Sequence, residues 1–542
     1  MKLSSTSSLN SSTSNQLQDN PMPPARYMVP LSVILLIALA VRLLAAFFSK
    51  GFAFHDDHFD VITIAQGWLN GLPYWLHEDL PPRHSMFYTG IHYGILYLLE
   101  SIGITSPDGK MTVIRLLHGL YSLLVVYYGY KITEELSNKA NARIVGLILA
   151  LLWFMPFMSV RNLVEMVCIP PYLASFYLMI RKTEKGVVMR YFWAGVLFGV
   201  AFVIRYHTVL FAAGAGLALL YNRQWREILF LILGFLVSAT IIQGTIDISF
   251  FNYPFHSIVA YFLYNSENAN NFSTGPIYRF LLTILGFLVP PVSVFLLIGY
   301  SRTTKLSPML FWGGVVFFVA HSLFPNKQER FILPLFPVLI ILGVIGWQGF
   351  VRYSDFWRNR KKLLAASWAF FWILNIGVAI GMALTYTKKS RIAPLVYLSE
   401  KEDMDAVLLE FGNHGTKMPP LFYLNRSLAA QYEEYDLNDK RVWGPYKDGS
   451  TPFPDDFVMV YNLNWDKRVD RLANEIGSMP FKPDYVVVVG TDDIPQRMER
   501  IQSLYPKLKL KHTIEPSLYD QVLHKLNPRV HKDELVRIYR VL

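Results

Sequence analysis

At 542 residues, 53% hydrophobic and 15% aromatic, with a mean hydropathy of +0.29, the chain carries apolar runs too long for a soluble globular protein. A formal net charge of +11 would suit nucleic acid, but in a chain of this kind Lys and Arg mark membrane orientation, and no nucleic-acid partner is expected. The single cysteine, Cys168, excludes an internal disulfide framework and any Cys-based zinc site.

Residues 1–27 are rich in Ser, Asn, Thr and Pro and read as a disordered cytoplasmic tail. The first apolar run, 28–48, is broken only by Arg42 and is too long for a cleaved signal peptide. Further runs lie near 112–130, 143–158, 163–180, 191–204, 208–221, 228–247, 279–299, 309–324, 332–350 and 364–386. The expected fold is therefore a polytopic α-helical membrane protein with about eleven transmembrane helices embedded in the lipid bilayer. One set of loops holds sixteen Lys and Arg, whereas the alternate short loops hold only Arg161, Arg205, Lys327 and Arg330. That asymmetry puts the amino terminus in the cytoplasm, and an odd span count puts the carboxyl terminus outside. The transmembrane domain spans 28–387, with a long outer loop, 50–111, full of His, Asp, Trp and Pro. From 388 to 542 the membrane signal stops. Strand-like runs at 421–424, 457–461, 485–489 and 535–541 alternate with polar helical stretches such as 494–504, which predicts an outer α/β domain.

The ionisable residues near the spans gather on the outer side. Such groups are costly at membrane depth and usually line a functional cavity. His55-Asp56-Asp57-His58-Phe59-Asp60 is the richest cluster. A carboxylate here could act as a general base, His and Asp could ligate a divalent ion, or the segment could be a solvated loop beyond a span. Pro325-Asn326-Lys327-Gln328-Glu329-Arg330-Phe331 puts two cations on the side where positive charge is otherwise avoided, beside which a departing phosphate would be stabilised. Arg161 and Glu165 are spaced for an i,i+4 helical pair. Arg205-Tyr206-His207-Thr208 suits a phosphate or a plain connecting turn, and Asp247 is positioned to pair with an arginine. Trp68, Trp75, Phe87, Tyr88 and Tyr93 form an aromatic stripe, more often an interfacial belt than a sugar platform. No Walker, GxGxxG or HExxH pattern is present, which leaves a nucleotide-driven pump without support.

These motifs resemble those of a known family. Asp56-Asp57-x-Phe59 is similar to the acidic first-loop motif of the dolichyl-phosphate-mannose-dependent mannosyltransferases, glycosyltransferase family 22 of the GT-C superfamily, which act in GPI-anchor and N-glycan precursor assembly. Arg161-Asn162-x-x-Glu165, Arg205-x-x-Thr208, Asp247-x-x-x-Phe251, Tyr264-Asn265 with Gly275-Pro276-x-Tyr278, and Pro325 to Phe331 keep the family's order across about residues 28–350. The chain departs from the pattern at Asn326, where the family has His, and at Asp57 and Asp60, where the related branch has Glu and Gln.

The resemblance implies a GT-C-like transmembrane domain. It also implies transfer of a sugar, mannose first, from a polyprenyl or dolichyl phosphate to an acceptor hydroxyl on a glycan or glycolipid, by inverting displacement. Asp56 would be the base and Asp57 would orient it or the acceptor. Arg205, Lys327 and Arg330 would hold the phosphate, with Asn326, Glu329, His58 and Asp247 as further substrate contacts. No metal and no cofactor are implied. A transporter or flippase for lipid-linked glycans would show inverted repeats and paired broken helices. A non-catalytic glycan-assembly subunit would bind through its outer domain. A bacterial inner membrane with a periplasmic active site is the favoured location, with the endoplasmic reticulum and a lumenal site as the alternative.

Overall fold

The computed structural model describes residues 29–72, 84–182, 186–412, 418–427, 429–432, 452, 454–463 and 482–542. The side chains of Asp56, Ala430, Gln431, Tyr432 and Leu463 lie outside that description, as does the tail 1–27. The chain divides into two compact units, one running over residues 1–45, 82–88 and 116–383, the other over 46–81, 89–115 and 384–542.

Among the described residues the named elements of the first unit are all helices. All eleven apolar runs form helices, because unbroken apolar sequence without water must satisfy its backbone internally. They differ in reach. Among the described residues six helices are long and apolar enough to cross a membrane: Leu31–Phe48, Pro107–Leu136, Val187–Ile204, Trp225–Phe251, Leu335–Tyr353 and Lys361–Ala383. The run at 279–299 becomes two helices, Arg279–Phe287 and Val292–Ser301, bent by 120°. The break falls at Pro290-Pro291, neither of which has an N–H to continue a helix. Lys139–Leu151, Val164–Ile180, Tyr206–Tyr221 and Pro308–Leu323 are shorter than a full span. At 16 residues, Pro308–Leu323 reaches only about 24 Å, less than a hydrocarbon core of roughly 30 Å.

Three helix pairs in this unit touch backbone to backbone, one of them Val209–Tyr221 with Pro308–Leu323, where a Cβ on Gly214 would overlap the Trp312 carbonyl. A Cβ on Gly195 would overlap the Leu231 carbonyl, and one on Gly234 the Phe192 carbonyl, so Val187–Ile204 and Trp225–Ala239 meet through reciprocal notches. Gly299 and Gly346 do the same for Val292–Ser301 and Leu335–Tyr353. Small residues at such contacts let dispersion replace the hydrophobic drive that lipid does not supply. Arg42, the one charge in the first span, is 1% exposed. Its guanidinium donates to Ser122 Oγ at 2.7 Å and to the Ala38 and Ala150 carbonyls at 3.2 Å each. The Lys139–Leu151 helix ends beside it, which frees the carbonyl it uses.

The second unit is built on a six-stranded sheet of β1 (Ala406–Glu410), β2 (Ala429–Tyr432), β3 (Val458–Leu463), β4 (Tyr485–Val489), β5 (Leu508–Ile514) and β6 (Val536–Val541), in the order β2-β3-β1-β4-β6-β5. The first four strands in that order run parallel, and β6 and β5 close the edge antiparallel. β1 and β4 are buried on both faces, as unbroken apolar parallel strands are. Three of the predicted strands and the helix Ile494–Leu504 are present. The run 421–424 is instead a 3₁₀ turn, Leu421–Leu424, entered through Pro419-Pro420 and ended by Asn425 at φ 53°. Four residues between a diproline and a left-handed Asn have no room to join a ladder.

The described residues of the loop 50–111 are largely helical. The loop contains Asp56–His58, a π-helical turn Phe59–Thr63, Ile64–Leu69 and Met86–Ser101. It is tied to the carboxyl-terminal part by Thr387, whose N–H donates to the Lys50 carbonyl at 3.0 Å and whose hydroxyl donates to the Phe52 carbonyl at 2.9 Å.

Candidate active site

In the first unit, three charged residues from distant parts of the chain meet, and each stands where a helix is interrupted. Glu165 opens the short helix Val164–Val167, after a non-helical stretch at 160–163. Arg205 has extended backbone between Val187–Ile204 and the turn Tyr206–Thr208. Arg330 lies in the 3₁₀ turn Glu329–Ile332, in a segment flanked by Pro325 and Pro334. Interrupted helices at membrane depth are tolerated where the backbone is buried in protein or lines a polar cavity.

Arg205 approaches Glu165 Oε1 at 3.0 Å and Arg330 Nε approaches the same oxygen at 3.7 Å. Arg330 Nε also donates to Gln328 Oε1 at 2.9 Å. The guanidinium groups of Arg205 and Arg330 both lie against the Phe331 ring, at 5.2 and 5.4 Å, a contact that fixes their planes. All three charged side chains are buried. Glu165 was expected to pair with Arg161 along one helix turn. The chain is not helical from 160 to 163, so that geometry does not form, and the carboxylate serves Arg205 and Arg330.

Beside them runs a hydrogen-bonded chain of rings. His321 Nδ1 lies 2.8 Å from the Phe317 carbonyl and must carry its proton there. His321 Nε2 therefore accepts from His207 Nδ1 at 3.3 Å, and His207 Nε2 accepts from the Tyr261 hydroxyl at 2.9 Å. The directions follow from the one carbonyl at the end. His207 also packs edge-on against Phe331, which links this chain to the arginine cluster. Sequence reasoning missed Glu165 as the hub and His321 altogether. A histidine inside an apolar run was the available signal.

The other predicted residues of this unit are placed differently. The Lys327 ammonium donates to the carbonyls of His321 and Ser322, at 3.1 and 2.9 Å, and to that of Phe324. Those three acceptors use all three of its N–H bonds. It caps the carboxyl end of Pro308–Leu323, where a cation is stabilising. Asn326 is buried and bridges by its backbone to Thr274. Glu329 is half exposed and pairs with Arg279 at 2.7 Å. Asp247, expected to meet an arginine, accepts from Gln243, Ser257 N and Ser257 Oγ at 2.8, 3.0 and 2.6 Å. It joins the helices Thr245–Phe251 and His256–Glu267 locally.

In the second unit, the acidic motif lies on the single turn Asp56–His58. The Asp57 carboxylate is buried and accepts from Ala53 N at 3.0 Å, which fixes the approach to the turn. His58 is fully buried, sandwiched between Phe52 and Tyr423 with ring centroids at 5.0 and 5.3 Å. Neither of its ring nitrogens has a hydrogen-bond partner among the described residues. Burial, with Arg391 and His55 nearby, pushes its pKa down to about 3, so the ring is neutral. Among the described residues no three His, Cys, Asp or Glu side chains converge as a metal site would require.

Residues 33–408 match the model of the Alg9-like mannosyltransferase family. No curated protein matches the chain in sequence. The crystal structure of ArnT from Cupriavidus metallidurans bound to undecaprenyl phosphate superposes with a TM-score of 0.57 at 14% identity, over 94% of this chain and 97% of that one. The apo form of the same protein gives 0.54 at 14% identity, with the same coverage of both chains. The Archaeoglobus fulgidus oligosaccharyltransferase in its apo form matches 70% of this chain and 62% of its own, at 12% identity and a TM-score of 0.45. The likeness to ArnT is one of fold.

Proposed function

The chain belongs to the Alg9-like mannosyltransferase family, and from that premise we propose that it moves mannose from a polyprenyl- or dolichyl-phosphate donor to an acceptor hydroxyl on a glycan or glycolipid. It is a multi-pass integral membrane glycosyltransferase. The carrying observation is the pair of buried guanidinium groups, Arg205 and Arg330, that share Glu165. Planar forks of this kind match phosphate oxygens better than a point charge does. Glu165 aims them.

Asp56 takes the proton from the acceptor hydroxyl as its oxygen forms a bond to the sugar's anomeric carbon. The bond from that carbon to the phosphate oxygen breaks on the opposite face, and configuration inverts. The leaving polyprenyl phosphate is already a stable anion, so one base suffices. Arg205 and Arg330 stabilise the charge that grows on it. Asp57 holds the turn that carries Asp56. The assignment of Asp56 rests on the motif shared with the family, and that of the arginines on the cluster. The excess of Lys and Arg in alternate loops supports an active site on the outer face, periplasmic in a bacterial inner membrane or lumenal in the endoplasmic reticulum.

The test uses purified full-length protein, polyprenyl-phosphate-mannose labelled in the sugar, and membrane lipid extract as the acceptor source. Label is expected to move to a new product whose mass identifies the acceptor. Asp56→Asn is expected to stop transfer while donor binding persists. Full activity in that variant would remove Asp56 as the base. Absence of donor binding in the native protein would sink the transferase reading.

A further inference from the structure

The second unit contains a cavity of about 440 Å³, within the range of roughly 300–1,000 Å³ usual for small-molecule sites. One wall is a polar row on the helices of the outer loop. Lys110 Nζ meets Glu100 at 2.6 Å and Gln66 Oε1 at 3.0 Å. The Gln66 amide donates to Glu100 and to Asn70 Oδ1, both at 3.0 Å. The facing wall comes from the carboxyl-terminal part. The Asn70 amide donates to the Arg426 and Ser427 carbonyls at 3.3 and 3.0 Å, and Ser427 gives its N–H and hydroxyl to Asp456 at 2.7 and 2.9 Å. Ile64, Leu421 and Phe422 add an apolar face.

Two features define what fits. The charges lining the cavity balance, Glu100 and Asp456 against Lys110 and Arg426, so neither a phosphate nor a cation is selected. The polar side chains hold one another in fixed positions, and two buried polar atoms, Thr63 Oγ1 and Arg426 Nε, have no hydrogen-bond partner among the described residues. Thr63 closes the π-helical turn Phe59–Thr63, and such turns often re-aim a side chain at a functional site. A lining that joins fixed amides and carboxylates with aromatic and aliphatic side chains matches a pyranose, whose hydroxyls ring its edge and whose C–H groups cover a face.

We propose that this cavity is a binding subsite for a short neutral glycan. That the glycan is the acceptor rests on the transferase reading above; that the cavity binds one does not. The subsite holds sugar units away from the reacting hydroxyl and so selects the acceptor, contributing to its KM more than to kcat.

The test uses the full chain in a detergent without a sugar headgroup, since maltoside detergents would compete. Mannobiose, cellobiose and diacetylchitobiose are titrated as neutral probes, mannose 6-phosphate as an anionic one, and binding is read by saturation-transfer NMR. At least one neutral disaccharide is expected to bind, and better than the phosphate. Gly67→Phe fills the cavity. Among the described residues a Cβ at Gly67 meets only Leu72, at an ordinary 3.8 Å, and Gly in a helix is weaker than most replacements; an unchanged melting temperature checks that the fold is retained. This variant is expected to lose tenfold or more in disaccharide affinity with polyprenyl-phosphate binding unchanged. Thr63→Val removes the unpartnered hydroxyl and is expected to lose about two- to tenfold. Undiminished disaccharide binding by Gly67→Phe, no neutral binding at all, or preference for the phosphate each overturns the proposal. Disaccharide binding without any sugar transfer would remove the transferase reading and leave this one standing.

Discussion

Glu165, among the apolar helices, and Glu410, at the end of β1 in the sheet unit, are both buried and both meet arginine. Around Glu410 one arginine wraps the carboxylate among the described residues. Arg497 gives Nε and a terminal nitrogen to the carboxylate and its other N–H groups to the Val489 and Asp492 carbonyls, while Gly412 N donates to the same carboxylate. Around Glu165 two arginines converge on one oxygen, from segments where the helices are interrupted. Such a pair on regular strand and helix holds a domain together. Two forks directed at one carboxylate at helix breaks put two guanidinium groups side by side, the arrangement proposed above for an anion. On the proposed reading, backbone context rather than the presence of a buried pair separates the two clusters.

That contrast is open to direct attack. Arg497→Met removes the guanidinium that wraps buried Glu410 and is expected to cost about 3–5 kcal/mol of stability, read as a large fall in the melting temperature. Transfer per folded molecule should be unchanged. Replacing Glu410 by Met as well is expected to recover most of the loss, as apolar substitutes for buried pairs often do. Arg205→Met is expected to do the reverse: transfer falls by about 10²–10³-fold, while Glu165 keeps Arg330 and the melting temperature moves by only a few degrees. Global unfolding of Arg205→Met would erase the distinction.

A third test concerns His58, buried and neutral with its pKa held at about 3. Below pH 6.5 the unfolded chain takes up a proton that the native chain refuses. The stability this group contributes is therefore complete above about pH 6.5 and is lost as pH falls toward 3, at about 1.4 kcal/mol per pH unit. Between pH 6.5 and 5 the native protein should lose about 2 kcal/mol on this account. His58→Phe keeps the stack and does not titrate, so its melting temperature should fall less over the same interval. Equal falls would show that His58 is not buried neutral. The smallest effect is expected at Lys327. Lys327→Met removes a helix cap worth about 1 kcal/mol and should leave the donor KM within threefold; a tenfold rise would return Lys327 to the phosphate site.

What the sequence disclosed follows from the range of the interactions. The eleven apolar runs became helices because each is decided within its own stretch. Ile494–Leu504 and Tyr485–Val489 were readable for the same reason. The length of a run did not disclose whether it would reach across a bilayer, as the bent pair at 279–301 shows. Arg205 and Arg330 were legible as candidates because cations on the outer side break the orientation rule. Their meeting at Glu165 was not, since it joins residues 40 and 165 positions apart, and local spacing pointed to Arg161. Lys327 and Asp247 turned inward to their own neighbours, a choice made by packing that composition does not record. β1, β2 and β5 went unseen because short strands depend on the partners that flank them.

The reciprocal glycine notches carry a kinematic consequence. Helices that touch through their backbones cannot slide or part without losing the whole contact, and they have no side-chain cushion to absorb a shift. Val187–Ile204 with Trp225–Ala239, Val209–Tyr221 with Pro308–Leu323, and Val292–Ser301 with Leu335–Tyr353 therefore travel as three rigid rods. Any opening of the helical unit must take place at the seams between such rods, and the interrupted segments that bear Glu165, Arg205 and Arg330 are the joints at which it can bend.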